Sequence, residues 1–278
     1  TLLTRALVQP VLSMTEDLDH IQDNVPYKEL IPFAESIHSD RILRENNEKM
    51  RQEFTANVSH ELKTPLTSIS GYAELIENGM AKQEDIPTFG HRIHKEAQRM
   101  ITLVSDILQL SELDGMSKQQ ENSPTADFVP VDLGVLVKDV ATNMTVNARK
   151  AYITLQYKVQ PVTVRGSHDL LTELVTNLCD NAIRYNRPGG HVELSCGTNT
   201  DGCPYFCVED NGIGIPQDSQ SRVFERFYRV DKSRSKATGG TGLGLAIVKH
   251  IAVLHGARID LESTVGTGTT IRIIFPKM

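Results

Sequence analysis

Ser59-His60-Glu61-Leu62-Lys63-Thr64-Pro65 sets a histidine beside a carboxylate, four residues before a threonine and five before a proline. Leading into it, Leu43, Met50, Phe54, Val58 and Leu62 recur at spacings of 7, 4, 4 and 4, the apolar stripe of a helix. His60 stands two residues from both Val58 and Leu62, roughly 200° around a helix that turns about 100° per residue. It therefore points away from the stripe, toward solvent. Glu61 can accept a proton from one ring nitrogen and leave the other as a nucleophile. Pro65 has no N–H for the carbonyl of Glu61, so the helix is expected to bend or loosen just after the histidine. From these residues alone an ordinary surface histidine remains the competing reading. It is the better one for His20, His38, His91, His94, His191, His250 and His255.

Working outward, residues 36–62 read as one long charged helix. After Pro65 it resumes through Ile69, Tyr72, Ala73 and Ile76 and stops near Asn78-Gly79. A second helix is expected over 85–113, with Ile86, Phe89, Ile93, Ala97, Met100, Val104 and Ile107 at spacings of 3, 4, 4, 3, 4 and 3, a coiled-coil seam. Two such helices joined by a short turn form a hairpin with partly bare seams. A second copy would cover them in a four-helix bundle, which predicts a homodimer. Packing against another domain of the same chain is the alternative. Residues 1–35 are mixed, with Asn24, Pro26 and Pro32 as interruptions. Residues 114–130 are rich in Gly, Ser, Lys, Gln, Asn and Pro and read as a hinge linker.

The 278 residues leave room for two domains, and 39% hydrophobic with 23% charged residues fits a soluble globular protein. A net charge of -6 argues against the basic face of a nucleic-acid binder, so no nucleic acid is expected as a partner. Cys203 and Cys207 have no matching pair at zinc spacing, and Cys179, Cys196 and Cys207 sit in apolar runs. All four cysteines read as buried reduced thiols. No apolar run approaches the roughly 18 residues of a membrane span. The chain begins at Thr1 and is read as a fragment.

Beyond the linker, 132–150 looks helical, Ile153–Val159 and Val162–Arg165 alternate as strands, and Ser167 can cap a helix over 168–185. Val192–Cys196, Tyr205–Val208, Ile259–Glu262 and Thr270–Phe275 read as strands. Leu243–Leu254 reads as a buried helix closed by Gly256. This mixture predicts one mixed sheet with helices on one face. Four clusters fall within it. Asn177 and Asn181 share a helical face, and their amide oxygens are hard ligands able to complete a Mg²⁺ shell of phosphates and water. Arg184 is near enough to meet a phosphate. A solvated helix face is the alternative. Asp210-Asn211-Gly212-Ile213-Gly214 follows a strand. Its carboxylate can accept a hydrogen bond from an exocyclic amine such as adenine's, and its glycines allow close backbone approach to a ligand. A simple turn would explain the same residues. Val223-Phe224-Glu225-Arg226-Phe227-Tyr228-Arg229, before Asp231–Lys236, offers aromatic anchors and a basic run for phosphates. A solvated charge run is the alternative. Gly239-Gly240-Thr241-Gly242-Leu243-Gly244 opens an apolar helix and presents free N–H groups to an anion. No Gly-Lys-Ser/Thr follows, so it is not a P-loop.

Together these segments resemble the transmitter region of bacterial two-component sensor histidine kinases of the phosphate- and osmo-sensor type. Phe54–Thr67 resembles the histidine box. The four later clusters resemble the N box, first glycine box, F box and second glycine box, in the family's order. The resemblance covers roughly residues 45–278, and 1–35 weakly resembles the tail of a HAMP-type signalling segment. It implies a dimerisation and phosphoacceptor hairpin over 36–113, the linker at 114–130, and a Bergerat-type α/β sandwich ATP-binding domain over 131–278. It implies that His60 accepts the γ-phosphoryl group, Glu61 is its acid/base partner, and Thr64 helps dephosphorylate the partner regulator. Asn181 would be the Mg²⁺ ligand with Asn177 assisting. Asp210 would read the adenine amine and Tyr185 would line the base pocket. Arg184 and Arg229 would contact phosphates. Gly212 and Gly214 belong to the first glycine box, Phe224 and Phe227 to the F box. Gly240, Thr241, Gly242, Leu243 and Gly244 would lie against the polyphosphate, with 217–241 as the ATP lid. ATP and Mg²⁺ are the implied cofactors. The implied partners are a second copy and the receiver domain of a response regulator. The chain would be the cytoplasmic portion of a membrane-associated protein whose transmembrane sensor segment is missing here.

Two other classes fit part of the sequence. An ATPase of the gyrase and MutL type shares the ATP fold, and Glu173 stands four residues before Asn177 where a hydrolytic base could sit. That class lacks the histidine box. A non-catalytic ATP-binding scaffold would need no intact motifs.

Overall fold

The computed structural model of the protein describes residues 31–119, 128–231 and 240–277. The expected signalling segment up to residue 30, the middle of the expected linker (120–127), and the basic run Lys232–Lys236 with Gly239 lie outside the described residues. Two compact units divide the chain, one ending at Thr64 and one beginning at Pro65, and each is described by itself.

The first unit consists, as described, of the opening part of helix α1 (Ile31–Glu77). This helix begins earlier than residue 36 because Pro32 lies in its first turn, where a backbone N–H has no intrahelical partner to lose. Asp40–Arg44 and Arg41–Glu45 form exposed ion pairs at 2.9 Å one turn apart, worth a few tenths of a kcal/mol. Of the predicted stripe, Phe54, Val58 and Leu62 are half-buried while Leu43 and Met50 are exposed, and His60 is exposed as expected. The helix expected to bend or loosen after His60 is continuous, with Pro65 inside it. Pro65 withholds a single backbone donor.

In the second unit, α1 ends where sequence placed its stop. Gly79 takes φ +66°, and the N–H groups of Gly79 and Met80 return to the carbonyls of Ile76 and Leu75 at 3.1 and 3.0 Å, a glycine-terminated helix end. Helix α2 (Ile86–Gln119) runs six residues past the expected boundary at 113. Tyr72 ties the two helices, its ring tilted against Phe89 with centroids 5.1 Å apart and its hydroxyl accepting from Arg92 at 2.5 Å. The fully buried line of α2 is Leu103, Leu110 and Leu113. Of the predicted seam, Ile86 and Val104 are exposed and the other five residues are only half-buried. A second apolar line on the same helix therefore packs within this chain, mainly on helix α5 (Gly244–Leu254).

The remainder is a two-layer fold. Strands β1 (Val129–Asp132) and β3 (Thr163–Gly166) pair antiparallel. A five-stranded sheet runs in the order β2 (Thr154–Val159), β4 (His191–Thr198), β5 (Pro204–Asp210), β7 (Gly268–Ile274), β6 (Arg258–Thr264). Only β2 and β4 pair in parallel. Register places Leu194 beside Val208 and Val208 beside Ile271, Cys196 beside Phe206 and Phe206 beside Ile273. These residues are buried and share one sheet face. Helices α3 (Leu133–Lys150) and α4 (His168–Arg184) cover β2, β4 and β5, and α5 packs against β6 and α4. The caps follow from sequence. Asp132 accepts from Val135 N–H at 3.1 Å and Ser167 from Leu170 N–H at 3.5 Å. His255 is a satisfied core histidine, accepting from Ser167 N–H at 3.2 Å and donating from Nδ1 to Ile251 at 2.8 Å. Burial holds its pKa below the usual histidine range. Cys179, Cys196 and Cys207 are buried free thiols and Cys203 is half-buried.

Candidate functional site

Histidine 60 is presented by the local helix. Its main-chain carbonyl accepts the Thr64 hydroxyl at 3.2 Å, and Thr55 and Ser59 bond the carbonyls one turn back in the same way. Glu61 is half-buried and Thr64 exposed. His60 stands as a single side chain on an exposed helical face.

The second site is assembled from four segments of the other unit. In α4, the side chains of Asn177 and Asn181 both face the start of α5. A methyl group on Gly244 would stand 3.0 Å from Asn177 Oδ1 and 3.8 Å from Asn181 Nδ2. Glu173, one turn earlier, hydrogen-bonds the Asn177 amide, which leaves that Oδ1 aimed at the helix start. Burial, then the nearby Asp106 charge, pushes the Glu173 carboxyl up to about 7. Arg184 binds Asp180 at 2.6 and 3.1 Å. The Leu243 side chain does not cap helix α5, and the helix begins at Gly244 beside the two asparagines, where the first N–H groups lack intrahelical partners. The two amides supply hard oxygen donors of the kind Mg²⁺ takes with phosphates and water.

Asp210 ends β5. Its carboxylate accepts from Gly212 N–H at 2.8 Å and from the Thr269 amide, and burial raises its pKa to about 6. The glycines after it were expected to admit a ligand. In the structure the chain itself crowds them. A Cβ on Gly212 would meet the Tyr185 carbonyl at 2.5 Å, and one on Gly214 (φ +71°) the Thr264 carbonyl at 2.1 Å. Tyr185 also accepts from Ile213 N–H at 3.1 Å, so the N box and first glycine box are joined through backbone.

The F box is tied to the second glycine box. Phe227 adopts φ 63°, a strained conformation for an aromatic residue, and its N–H donates to Gly242 at 2.8 Å. Arg229 donates to the Thr241 carbonyl at 2.6 Å. A Cβ on Gly242 (φ +77°) would stand 3.1 Å from Arg229 Nε and from Phe227 Cα, a tight fit. Phe224 and Gly240 are half-buried, and Leu243 is fully buried. The arrangement thus brings Asn177 and Asn181 to Gly244, Tyr185 and Asp210 to Gly212, and Thr241 and Gly242 to the F box, while Arg184 and Arg229 are engaged by Asp180 and the Thr241 carbonyl.

Sequence reasoning missed the contribution of α2. Asp106 accepts from Thr241 Oγ1 at 2.6 Å. Gln109 donates to Glu173. Asp114 binds Arg226 at 2.6 Å and His250 at 3.0 Å. Arg187 was also missed. It donates from one nitrogen to the carbonyls of Gly212, at 3.0 Å, and Gly266. The line Leu103–Leu110–Leu113 was the available signal for α2, and it was eclipsed by the longer seam.

A long helical hairpin bearing an exposed histidine, joined to an α/β sandwich with an uncapped helix start between asparagines, defines a phosphoacceptor and nucleotide-binding pair. Residues 50–115 match the His Kinase A (phospho-acceptor) domain family. Residues 166–278 match the Histidine kinase-, DNA gyrase B-, and HSP90-like ATPase family. The sensor protein kinase WalK of Staphylococcus aureus is 38% identical over 235 residues, which are 82% of this chain and 54% of that protein. Among solved structures, full-length ShkA in complex with AMPPNP is 27% identical with a TM-score of 0.56, covering 81% of this chain and 45% of that one. ThkA in complex with the response regulator TrrA is 21% identical, shares the fold at a TM-score of 0.66, and covers 91% of this chain and 68% of that one. The chain belongs to the two-component sensor histidine kinases, as part of their transmitter region. It spans about half or less of the curated relatives it matches. No helix among the described residues is long and apolar enough to cross a membrane.

Proposed function

We propose that this chain autophosphorylates His60 from ATP and passes the phosphoryl group to an aspartate of a response regulator. The observation that carries the reading is the convergence of Asn177, Asn181 and the uncapped start of α5, a cradle for polyphosphate. Asp210, fixed by two backbone N–H groups, accepts the adenine amine. A bound Mg²⁺, held by Asn181 with Asn177 assisting, would neutralise phosphate charge as it develops. A neutral His60 nitrogen attacks the γ-phosphorus, the bond to the bridging oxygen breaks, ADP leaves, and Glu61 takes the ring proton. Positioning and charge neutralisation supply most of the rate.

The finer proposals follow the same residues. Thr64, exposed one turn beyond His60, positions a water that dephosphorylates the regulator. The chain works as a homodimer through the half-exposed seam of α2, as the cytoplasmic portion of a membrane-anchored sensor. ThkA's complex with a response regulator supports that partner class. Domains run over 36–113 and 131–278 with 114–130 as the linker, into which α2 extends to Gln119 and β1 from Val129. The test is incubation with γ-labelled ATP, then a purified receiver domain. Acid-labile label on the wild type, absent from His60→Ala and transferable to the receiver, is expected. Phosphate release that persists unchanged in His60→Ala without any labelled protein would replace this reading with a hydrolytic ATPase.

A further inference from the structure

Thr241 carries one hydroxyl proton, and that proton is already committed. Its Oγ1 lies 2.6 Å from Asp106 Oδ2 and 3.3 Å from the Leu243 N–H, which can only donate to it. A hydroxyl has a single donor, so while Asp106 is in place Thr241 has no side-chain donor for a phosphate. Asp106 also feels the positive charge of Arg184 and the negative charges of Asp180 and Glu173. It is a carboxylate carried by α2 into the group of residues read above as facing the polyphosphate.

We propose that Asp106 is an affinity-setting residue of the nucleotide site, an internal anion that the ATP polyphosphate has to displace. The inference rests on the reading that Thr241 and Arg184 face the phosphates. Two anions a few ångströms apart in a partly desolvated site repel strongly, and both would draw on the same hydroxyl and guanidinium. Burial already disfavours the charged Asp106, with the Thr241 bond offsetting part of that cost. The carboxylate is not a free side chain. Leu103, Leu110 and Leu113 are buried on the same helix line, and Asp114 is held by Arg226 and His250 two turns further on. Displacing Asp106 therefore loosens a packed helix. Nucleotide binding and α2 docking oppose each other, and the opposition is reciprocal because it is one coupling free energy.

Isothermal titration of the full chain with AMPPNP and magnesium tests this. Asp106→Asn removes the charge at nearly constant shape and is expected to bind about tenfold tighter than wild type, a coupling of about 1.4 kcal/mol. Asp106→Glu, which keeps the charge, is expected to stay within about threefold of wild type. A merely structural role for Asp106 would weaken binding or leave it unchanged. Should Asp106→Asn not fold, Asp114→Asn loosens the same helix away from the anion and should tighten binding by a smaller factor. Unchanged or weaker binding in the variants that fold overturns the proposal. Asp210→Asn separates the two levels. If it loses AMPPNP while Asp106→Asn gains nothing, the proposal falls and the site reading stands. If it binds as wild type does, both fall.

Discussion

The helix around His60 and the nucleotide fold place their chemistry in the sequence in opposite ways. On α1 the proposed acceptor is one exposed side chain, and the side-chain hydrogen bonds beside it, from Ser59 to the Thr55 carbonyl and from Thr64 to the His60 carbonyl, span one turn of the same helix. In the other unit no single residue makes the site. Asparagines from α4, a carboxylate at the end of β5, a strained Phe227 and the start of α5 each hold another in place. The lesson is that a site made of one side chain fails in one step. A site made of mutual supports weakens by degrees, often through residues that never touch ligand.

Replacing His60 by Gln should give the largest effect. Labelling from γ-ATP is expected to fall by more than about 10³-fold, because no other group there can accept the phosphoryl, while AMPPNP affinity stays within about twofold. A fall in affinity would show that the two regions are not chemically separate. Next comes Gly214→Ala. Its φ of +71° and the Thr264 carbonyl 2.1 Å from the new methyl leave the loop no accommodation. A stability loss of about 2–4 kcal/mol is expected in urea unfolding, together with weaker nucleotide binding as the loop after Asp210 shifts.

How much of this was legible follows the same division. The stop of α1 at Asn78-Gly79 and the Ser167 cap were readable because each is a local rule satisfied within four residues. The nucleotide boxes were readable because glycines, asparagines and an aspartate stand close together in order. The reason for the first box's glycines was not, since Tyr185 and Thr264 come close only through the sheet and α4. Pro32 and Pro65 misled, one because a first-turn proline loses nothing and the other because a long helix tolerates one missing donor. The docking face of α2 was hidden by the seam, which has the longer periodic run and so dominated the pattern.

Glu173 offers a test at intermediate size. Its carboxyl is raised from 4.5 to about 7, chiefly by burial. The fold therefore favours the protonated form. That stabilisation is fully present below about pH 4.5 and is lost as pH rises through about 7. Glu173→Gln should flatten this slope and be more stable than wild type at pH 8 by about 2 kcal/mol, measured as urea midpoints at pH 5 and pH 8. Equal slopes in both proteins would remove Glu173 from the set of mutually supporting groups. Asp210 gives a smaller effect of opposite sign on binding. Its ionised carboxylate accepts an amine hydrogen more strongly than the protonated form does, and its pKa is about 6. AMPPNP affinity should fall as pH drops through 6, by about tenfold at pH 5, and Asp210→Asn should bind weakly without that pH dependence.

The smallest expected effect is the sharpest test of distributed support. Arg187 is exposed, and its guanidinium bridges the carbonyls of Gly212 and Gly266. The Gly212 N–H in turn holds the Asp210 carboxylate at 2.8 Å. Arg187 thus acts on Asp210, the proposed adenine acceptor, only through the backbone of Gly212. Arg187→Met keeps the aliphatic stem and removes both donations. Exposed hydrogen bonds of this kind contribute about 0.5–1 kcal/mol, so the KM for ATP should rise about threefold with kcat unchanged, and Arg187→Lys should recover part of the loss. A change in kcat would mean that the clamp acts on phosphoryl transfer and not on base recognition. No change in either would confine support of Asp210 to the two backbone N–H groups that already reach it.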